Sequence, residues 1–233
     1  MVPTSDGPVT LPRGRHKLPR DEVVRSQRDR LLRAMAEAMA EKGYAETSVA
    51  DVLRRARISR ETFYEQFSSK QDCFIAAFDA AAETILARAA SVAGQSGDRL
   101  ERFDRALCAY LDALAAEPAL ARLFLLEVYA AGEPVLQRRA KIQGRFADLV
   151  AAGFGARDDA ERFACDTLVA AISAMVTGRL AAGDVEGLPA LHAPLVELVE
   201  RVLRRAPNQD AEDGTPPHGD DTDRLRWGRD GYA

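Results

Sequence analysis

The chain has 233 residues, of which 47% are hydrophobic and 29% charged, values typical of a globular protein with a sizeable core. No apolar run of the roughly 18–20 residues needed to span a membrane stands out, and no apolar segment follows the basic N-terminal residues, so the sequence favours neither a membrane protein nor a secreted one. The net charge is −4, yet residues 1–70 contain 14 Lys and Arg against 10 Asp and Glu, so the amino-terminal part is basic and the remainder acidic.

The amino-terminal elements begin with an arm. Residues 1–22 are predicted to be flexible and basic, because four prolines and two glycines fall within the first 20 positions. A first helix is predicted from Val24, with apolar side chains on one face from Leu31 to Met39. This helix is expected to stop at Gly43.

Three serines indicate where the next helices start. Ser48, with Asp51 three residues later, has the pattern of a capping box. Ser59 can cap a third helix that continues through Phe67, and Ser69 can cap a fourth. The sequence therefore predicts two short helices between two longer ones.

The remaining chain is predicted to be helical up to residue 206. Apolar patterns indicate five further helices, spanning roughly 100–114, 119–131, 135–150, 158–182 and 189–205. The segment 119–131 is apolar almost all round, which predicts a deeply buried helix. No stretch alternates like a strand, so we predict an all-α fold of about nine helices, followed by a disordered acidic tail over residues 207–233.

The order helix, glycine, helix, three-residue turn, helix is that of a helix-turn-helix, whose second short helix enters the DNA major groove. The basic charge of this end is also typical of a protein that contacts nucleic acid. Any compact helical bundle contains short turns, so the spacing alone does not settle the matter.

The residues themselves are more specific. The segment "GYAETSVADVLRRARISRETFYEQFSSKQDCFIAAFD" (43–79) resembles the DNA-binding motif of TetR-type transcriptional regulators. It has the Gly-Tyr pair, the Thr-Ser cap, the Ile-Ser turn, the Phe-Tyr-x-x-Phe pattern and the Ser-Lys that opens the fourth helix. One position departs from the family pattern, since Arg57 stands where a glycine is usual in the turn.

The resemblance implies an N-terminal three-helix helix-turn-helix domain over 23–70, with the motif at 48–67. Residues 71–206 would then form a C-terminal helical ligand-binding and dimerisation domain, although they share only architecture with the family. The implied function is a DNA-binding regulator, commonly a repressor, that binds a palindromic double-stranded operator as a homodimer and responds to a small-molecule effector.

Helical geometry indicates which side chains face DNA. Phe63 and Phe67 lie about 40° apart on the third helix at about 100° per residue, so both face the core and leave Tyr64 outside. Tyr64 and Lys70 can reach phosphates, and the helix start at 47–49 offers amides to a third. The predicted DNA-binding residues are Thr47, Ser48, Val49, Ser59, Arg60, Glu61, Thr62, Tyr64, Glu65, Gln66 and Lys70.

Two glutamates on this surface need an explanation, because both approach a polyanion. Either Glu61 or Glu65 accepts a hydrogen bond from cytosine N4, or both are occupied in surface ion pairs. Arg57 and Arg60 are near enough in sequence to offset them, and Arg57 with Glu61 is predicted to form an i, i+4 pair.

The arm carries Arg13, Arg15 and Lys17. These cations could lie in an A·T-rich minor groove, or they could form a nonspecific basic tail.

A ligand pocket is expected among the fourth to eighth helices, although the same apolar stripes also suit an ordinary core. The candidate lining residues are Phe103, Leu107, Tyr110, Phe124, Glu127, Val128, Phe146 and Met175, with Glu127 or Arg179 as polar anchors.

A dimer interface is predicted on the last two long helices. Small residues at Ala171, Ala174 and Gly178 allow close helix approach, and apolar residues at Leu195, Val199 and Val202 complete a four-helix contact with a second copy.

Two other function classes remain open. An all-α enzyme could use Cys108, Glu127 or His192, but the sequence contains no nucleophile–base spacing or glycine-rich phosphate loop. A helical protein-interaction module is the other alternative. The three scattered cysteines favour a reducing cytoplasm, and the sequence predicts no metal site and no cofactor.

Overall fold

The computed structural model describes residues 19–205. Within this range the chain is all-α, with nine α-helices and no strand, as predicted. The helices are α1 Arg20–Glu46, α2 Val49–Ala56, α3 Arg60–Gln66, α4 Lys70–Ala93, α5 Arg99–Ala116, α6 Pro118–Leu125, α7 Glu133–Phe154, α8 Asp159–Ala181 and α9 His192–Arg205. Short 3₁₀ turns at Glu127–Tyr129 and Pro189–Leu191 precede α7 and α9.

The helix starts follow the predicted caps. The Ser48 hydroxyl accepts from the Asp51 amide and the Asp51 carboxylate accepts from the Ser48 amide, which completes the capping box. The Ser59 hydroxyl accepts from the Thr62 amide and the Ser69 hydroxyl from the Asp72 amide, and these bonds cap α3 and α4.

Both ends of the first helix and the end of the sixth differ from the prediction. The first helix begins at Arg20, so the last three residues of the predicted arm are helical, and it continues beyond a kink at Gly43 to Glu46 instead of stopping at Gly43. The buried helix expected over 119–131 ends at Leu125 and continues as a 3₁₀ turn. Since Tyr129 and Ala130 are exposed, the apolar run there does not mean continuous burial.

One hydrophobic core runs through the described residues. Helix α4 is central to it, because it packs against α1, α5, α6 and α7. The aromatic side chains of Phe74 and Phe78 on α4 are fully buried, and Phe78 stacks on Phe124 of α6. The core is therefore continuous across the predicted domain boundary at residue 70.

Helix α8 has an unusual combination of composition and exposure. Within residues 19–205 it is the one helix long and apolar enough to cross a membrane, with a mean hydropathy of 1.4 and only 28% of that window buried. The expectation that no segment reaches this length and composition is therefore wrong. One such helix is weak evidence for a membrane span, and α8 packs against α6 and α7.

Candidate nucleic-acid interface and ligand cavity

The third helix is held to the domain by two buried aromatic rings. Phe63 is fully buried and Phe67 nearly so, with their ring centroids 5.7 Å apart. Arg28 of α1 lies over the Phe67 ring, with its guanidinium carbon 4.6 Å from the centroid. Tyr64 packs edge-on against Phe63 and remains 49% exposed, so its hydroxyl end faces outward.

The turn before α3 explains why a glycine is usual at position 57. Arg57 has φ 54° and ψ 49°, the left-handed conformation that glycine adopts without steric cost. It is the only non-glycine residue with positive φ in the described chain. Arg30 of α1 donates to the carbonyls of Ala56 and Arg57, which stabilises the end of α2. The arginine thus keeps the turn geometry of the motif.

Both glutamates of α3 are exposed, and so is Arg60. The predicted Arg57–Glu61 pair is wrong: Arg57 lies outside the helix in the left-handed region, and no such ion pair forms among the described residues. The carboxylates of Glu61 and Glu65 are therefore available to a ligand.

Two residues predicted to contact phosphate have hydrogen-bond partners within the fold. Thr47 is 2% exposed, and its hydroxyl donates to the Gly43 carbonyl at 2.7 Å. The Lys70 ammonium donates to the carbonyls of Tyr44 and Thr47 at 2.8 and 2.9 Å, and it lies 4.2 Å from the centroid of the Tyr44 ring. The Thr47 hydroxyl is thus occupied within the fold, whereas a phosphate contact of the half-buried Lys70 stays a prediction.

The other predicted residues of this surface differ in what they contact. The Ser59 hydroxyl accepts from the Thr62 amide at 3.1 Å and lies 2.9 Å from the Thr62 hydroxyl. The side-chain amide of Gln66 is buried, without a hydrogen-bond partner in the described chain, and so does not face outward. Ser48 is exposed, and the first amides of α2 at Val49 and Ala50 have no intrahelical acceptor, so they remain donors at a helix start.

The Asp51 carboxylate stays ionised at this helix start. Hydrogen bonds from Ser48 first, and from Lys42 and Arg54, hold the pKa of Asp51 well below its usual range. The cap therefore persists at any pH near neutrality.

The predicted arm cations Arg13, Arg15 and Lys17 lie outside the described residues.

A cavity of about 110 Å³ lies between α4, α5, α6, α7 and α8. Five of the predicted residues line it, namely Phe103, Leu107, Tyr110, Phe124 and Phe146. The other three do not: Val128 is fully buried elsewhere in the core, Met175 is exposed on the opposite face of α8, and Glu127 contacts the amino-terminal domain. Arg179 pairs with Asp184, so it is not the predicted anchor.

The polar groups of the cavity were missed by the sequence analysis. Its charged lining consists of Arg99, Arg102 and Arg139, and no carboxylate lines it. Arg102 donates to the Gly153 carbonyl at 2.7 Å, while its Nε is buried without a partner among the described residues. Arg139 has neutral partners, the Gln143 and Ser173 side chains at 3.3 and 3.1 Å. The cavity is therefore apolar and positively charged.

The Tyr110 hydroxyl is a neutral group inside this cavity. Burial raises the pKa of Tyr110 well above its usual range, although the Arg139 charge acts in the opposite direction. Its ring packs edge-on against Phe146 at 5.8 Å between centroids.

The outer surface of α8 and α9 carries exposed apolar side chains. Ala171, Ala174 and Gly178 are exposed as predicted, and nothing lies within 4 Å of a Cβ built on Gly178. Val202 is also exposed. The prediction was wrong for Leu195 and Val199, which are turned into the core of their own subunit and are 2% and 5% exposed.

Three exposed apolar residues of this surface were missed, namely Phe163, Met175 and Leu198; Phe163 is 72% exposed. We define the α8/α9 face as Phe163, Ala171, Ala174, Met175 and Gly178 of α8 with Leu198 and Val202 of α9.

The residues considered for an enzyme are not arranged for catalysis. Burial raises the pKa of the Cys108 thiol, followed by the effect of Asp112, whereas a nucleophilic cysteine needs a lowered pKa. His192 lies 3.2 Å from the Asp104 carboxylate on the surface. No group of three His, Cys, Asp or Glu residues within 19–205 is placed to hold a metal ion.

Comparisons with known proteins agree with this geometry. The family profile described as "Bacterial regulatory proteins, tetR family" matches residues 31–77. The chain is 25% identical over 127 residues to the HTH-type transcriptional activator FasR of Mycolicibacterium smegmatis, which is 54% of this chain and 56% of FasR. It is 34% identical over 83 residues to the transcriptional regulator AcuR of Cereibacter sphaeroides, which is 34% of this chain and 37% of AcuR. The matches thus span only about half and about a third of these relatives.

Solved structures have the same fold. FadR of Bacillus subtilis, in complex with stearoyl-CoA, has a TM-score of 0.65 at 18% identity and covers 73% of this chain and 96% of that one. The fatty acid degradation regulator FadR of Bacillus halodurans has a TM-score of 0.65 at 21% identity with the same coverage. Over residues 31–77 this chain therefore matches the tetR family of bacterial regulatory proteins, and the described chain has the fold of solved TetR-like transcriptional regulators.

Proposed function

We propose that this protein is a transcriptional regulator that binds a palindromic operator as a homodimer and changes its DNA affinity when a small molecule enters the cavity of each subunit. One observation carries the proposal: the single helix α4 starts at Lys70, beside residues 48–67, which we name the reading head, and reaches the cavity at Ala89. Because the core is continuous along it, a change in the cavity can reach the DNA-binding end.

In this function α3 is the reading helix. Its exposed surface offers Arg60 and Tyr64 to the phosphate backbone, together with the amides at the start of α2. The carboxylate of Glu61 or Glu65 accepts a hydrogen bond from a cytosine amine, since neither is occupied by an intramolecular ion pair in the described chain.

The operator test is a selection of duplexes from a random library with the purified full chain, followed by fluorescence anisotropy on the enriched sequence. We expect a palindromic site whose affinity falls steeply with salt. Glu61→Ala and Glu65→Ala are the matched pair: one of them should relax the preference for cytosine at one position per half-site. If no sequence is enriched, binding to a specific operator is rejected. If the base preference is unchanged in both variants, recognition of cytosine by Glu61 or Glu65 is rejected.

The α8/α9 face supports the homodimer. An apolar helix that is 28% buried in a single subunit leaves a continuous apolar surface exposed to water, which is unfavourable unless a second copy covers it. Small residues such as Ala174 and Gly178 allow the helices of two copies to approach closely.

The cavity supports an amphiphilic, negatively charged effector. Three arginines and no carboxylate line an apolar space, and the buried Nε of Arg102 has no partner in the described chain, so an anionic group of a ligand would find donors there. The lining on α7 extends from Arg139 to Gly153, about 21 Å at the rise of an α-helix, which suits an extended hydrocarbon chain. The stearoyl-CoA bound by FadR of Bacillus subtilis has this chemistry.

The enzyme alternative is set aside in this proposal. The curated relatives are named as a transcriptional activator and a transcriptional regulator, and the raised pKa of Cys108 does not favour nucleophilic chemistry.

A further inference from the structure

The backbone of one residue joins the two functional parts of the molecule. Tyr44 lies in the short segment 43–48, which we name the elbow: it begins at the non-helical Gly43, which kinks α1, includes the last residues of α1, and ends at Ser48, the cap of α2. The Tyr44 amide donates to Glu127 Oε2 at 2.7 Å, and the Tyr44 carbonyl accepts from the Lys70 ammonium at 2.8 Å. Its ring packs edge-on against Phe74 of α4. The elbow is therefore fixed from two sides.

Glu127 belongs to the turn that follows α6, 83 residues away from Tyr44 in sequence. Its side chain is only 12% exposed, and the Arg122 guanidinium lies 4.0 Å from its other oxygen. A hydrogen bond from an amide to a largely buried carboxylate is among the stronger ones in proteins. The contact also fits the break in α1: Gly43 has φ +76°, and a Cβ there would lie 3.4 Å from Glu127 Oε2.

The other side of this turn is the cavity wall. Phe124 and Leu125, the last two residues of α6, line the cavity, and Glu127 follows two positions later. Arg122, one turn earlier, also reaches the Leu180 carbonyl of α8 at 3.5 Å. A change in the cavity that shifts the end of α6 must therefore move the Glu127 carboxylate.

The position of the elbow also determines where α2 starts. Thr47, at the end of the elbow, hydrogen-bonds back to Gly43, and Ser48 next to it caps α2. A displacement of Tyr44 is thus passed directly to the first turn of the helix-turn-helix.

We propose that Glu127 is a positioning residue that links the cavity to the reading head, by holding the Tyr44 amide and moving it when the cavity fills. The inference rests on the proposed function, since it names the step that connects effector and DNA. A residue that only stabilises the fold would lower the stability without breaking this connection.

The test needs neither effector nor DNA, because hydrogen exchange reports on the elbow directly. Glu127→Leu keeps the apolar bulk and removes the acceptor, whereas Glu127→Gln keeps an acceptor oxygen. We expect the Tyr44 amide to exchange at least about fivefold faster in Glu127→Leu, as expected for the loss of a charge-assisted hydrogen bond, and close to the wild-type rate in Glu127→Gln. Glu117→Leu, at the exposed start of α6 with no side-chain cap, is the matched control and should change nothing.

The coupling is tested by filling the cavity permanently with Ala106→Trp, or with Ala89→Phe as an independent filler. Filling should change exchange across residues 44–51 in the wild-type and Glu127→Gln backgrounds, but not in Glu127→Leu. An equal response in all backgrounds, no response in any, or an unchanged Tyr44 rate in Glu127→Leu overturns the inference. Operator binding by the unfilled wild type is measured separately, so the proposed function can survive the loss of this coupling residue.

Discussion

The reading head and the effector domain are stabilised in different ways. In the head, short-range contacts determine the structure: each short helix has a serine cap, and two buried phenylalanines hold α3. In the effector domain, long helices enclose a cavity and leave an apolar outer face. The head is therefore built for a fixed shape, and the other domain keeps unfilled space and uncovered surface for partners.

The largest expected effect is on dimerisation and operator affinity, and it comes from a substitution on the exposed α8/α9 face. Met175→Glu on the α8/α9 face should give a monomer whose affinity for the selected operator is lower by roughly 100-fold or more, because a dimer engages both half-sites together. Light scattering coupled to size exclusion measures the oligomeric state, and anisotropy measures the affinity. Ala140→Glu, an equally exposed substitution on α7, is the control. A Met175→Glu protein that remains dimeric would place the interface elsewhere.

The second effect compares the packing in the core of the head with the packing around the cavity. Phe63→Ala in the filled core of the head should lower the free energy of unfolding by about 3–5 kcal/mol. Phe103→Ala should cost less, because its ring already borders the cavity and loses fewer contacts. Urea unfolding of both variants gives the two values. Equal losses at the two positions would show that the cavity is filled or collapsed in solution.

The third and smallest effect concerns the turn of the helix-turn-helix. Arg57→Gly should raise the free energy of unfolding by up to about 1 kcal/mol, since glycine adopts the left-handed conformation without the steric cost of a side chain. The same urea experiment measures it. A loss of stability would mean that the Arg57 side chain makes stabilising contacts that outweigh this strain.

The sequence predicts local features of the head better than distant ones. Ser48, Ser59 and Phe63 were assigned correctly because a cap or a helical face depends on residues three or four positions away. The hydrogen bonds of Lys70 were missed since its acceptors are the carbonyls of Tyr44 and Thr47, which only the fold brings close to it.

The effector domain was predictable in fold but less so in its sites. The apolar stripe of α5 pointed to Phe103, Leu107 and Tyr110, which line the cavity. Arg102 lies beside that stripe, yet an arginine there is equally typical of a solvated face. On α9 both faces are apolar, so the pattern could not tell the inward Leu195 and Val199 from the outward Leu198 and Val202.

The most direct test of the account is a titration of palmitoyl-CoA into the complex of the full chain with its selected operator, followed by anisotropy. We expect the operator Kd to change by at least about fivefold at saturation, consistent with usual coupling free energies. A variant with Arg99→Gln and Arg102→Gln should bind the operator like the wild type and respond much less, while coenzyme A alone and hexadecanol distinguish the anionic head from the chain. An operator Kd that does not change with palmitoyl-CoA, or that changes equally without the two arginines, would contradict control of DNA binding through an anionic amphiphile in this cavity.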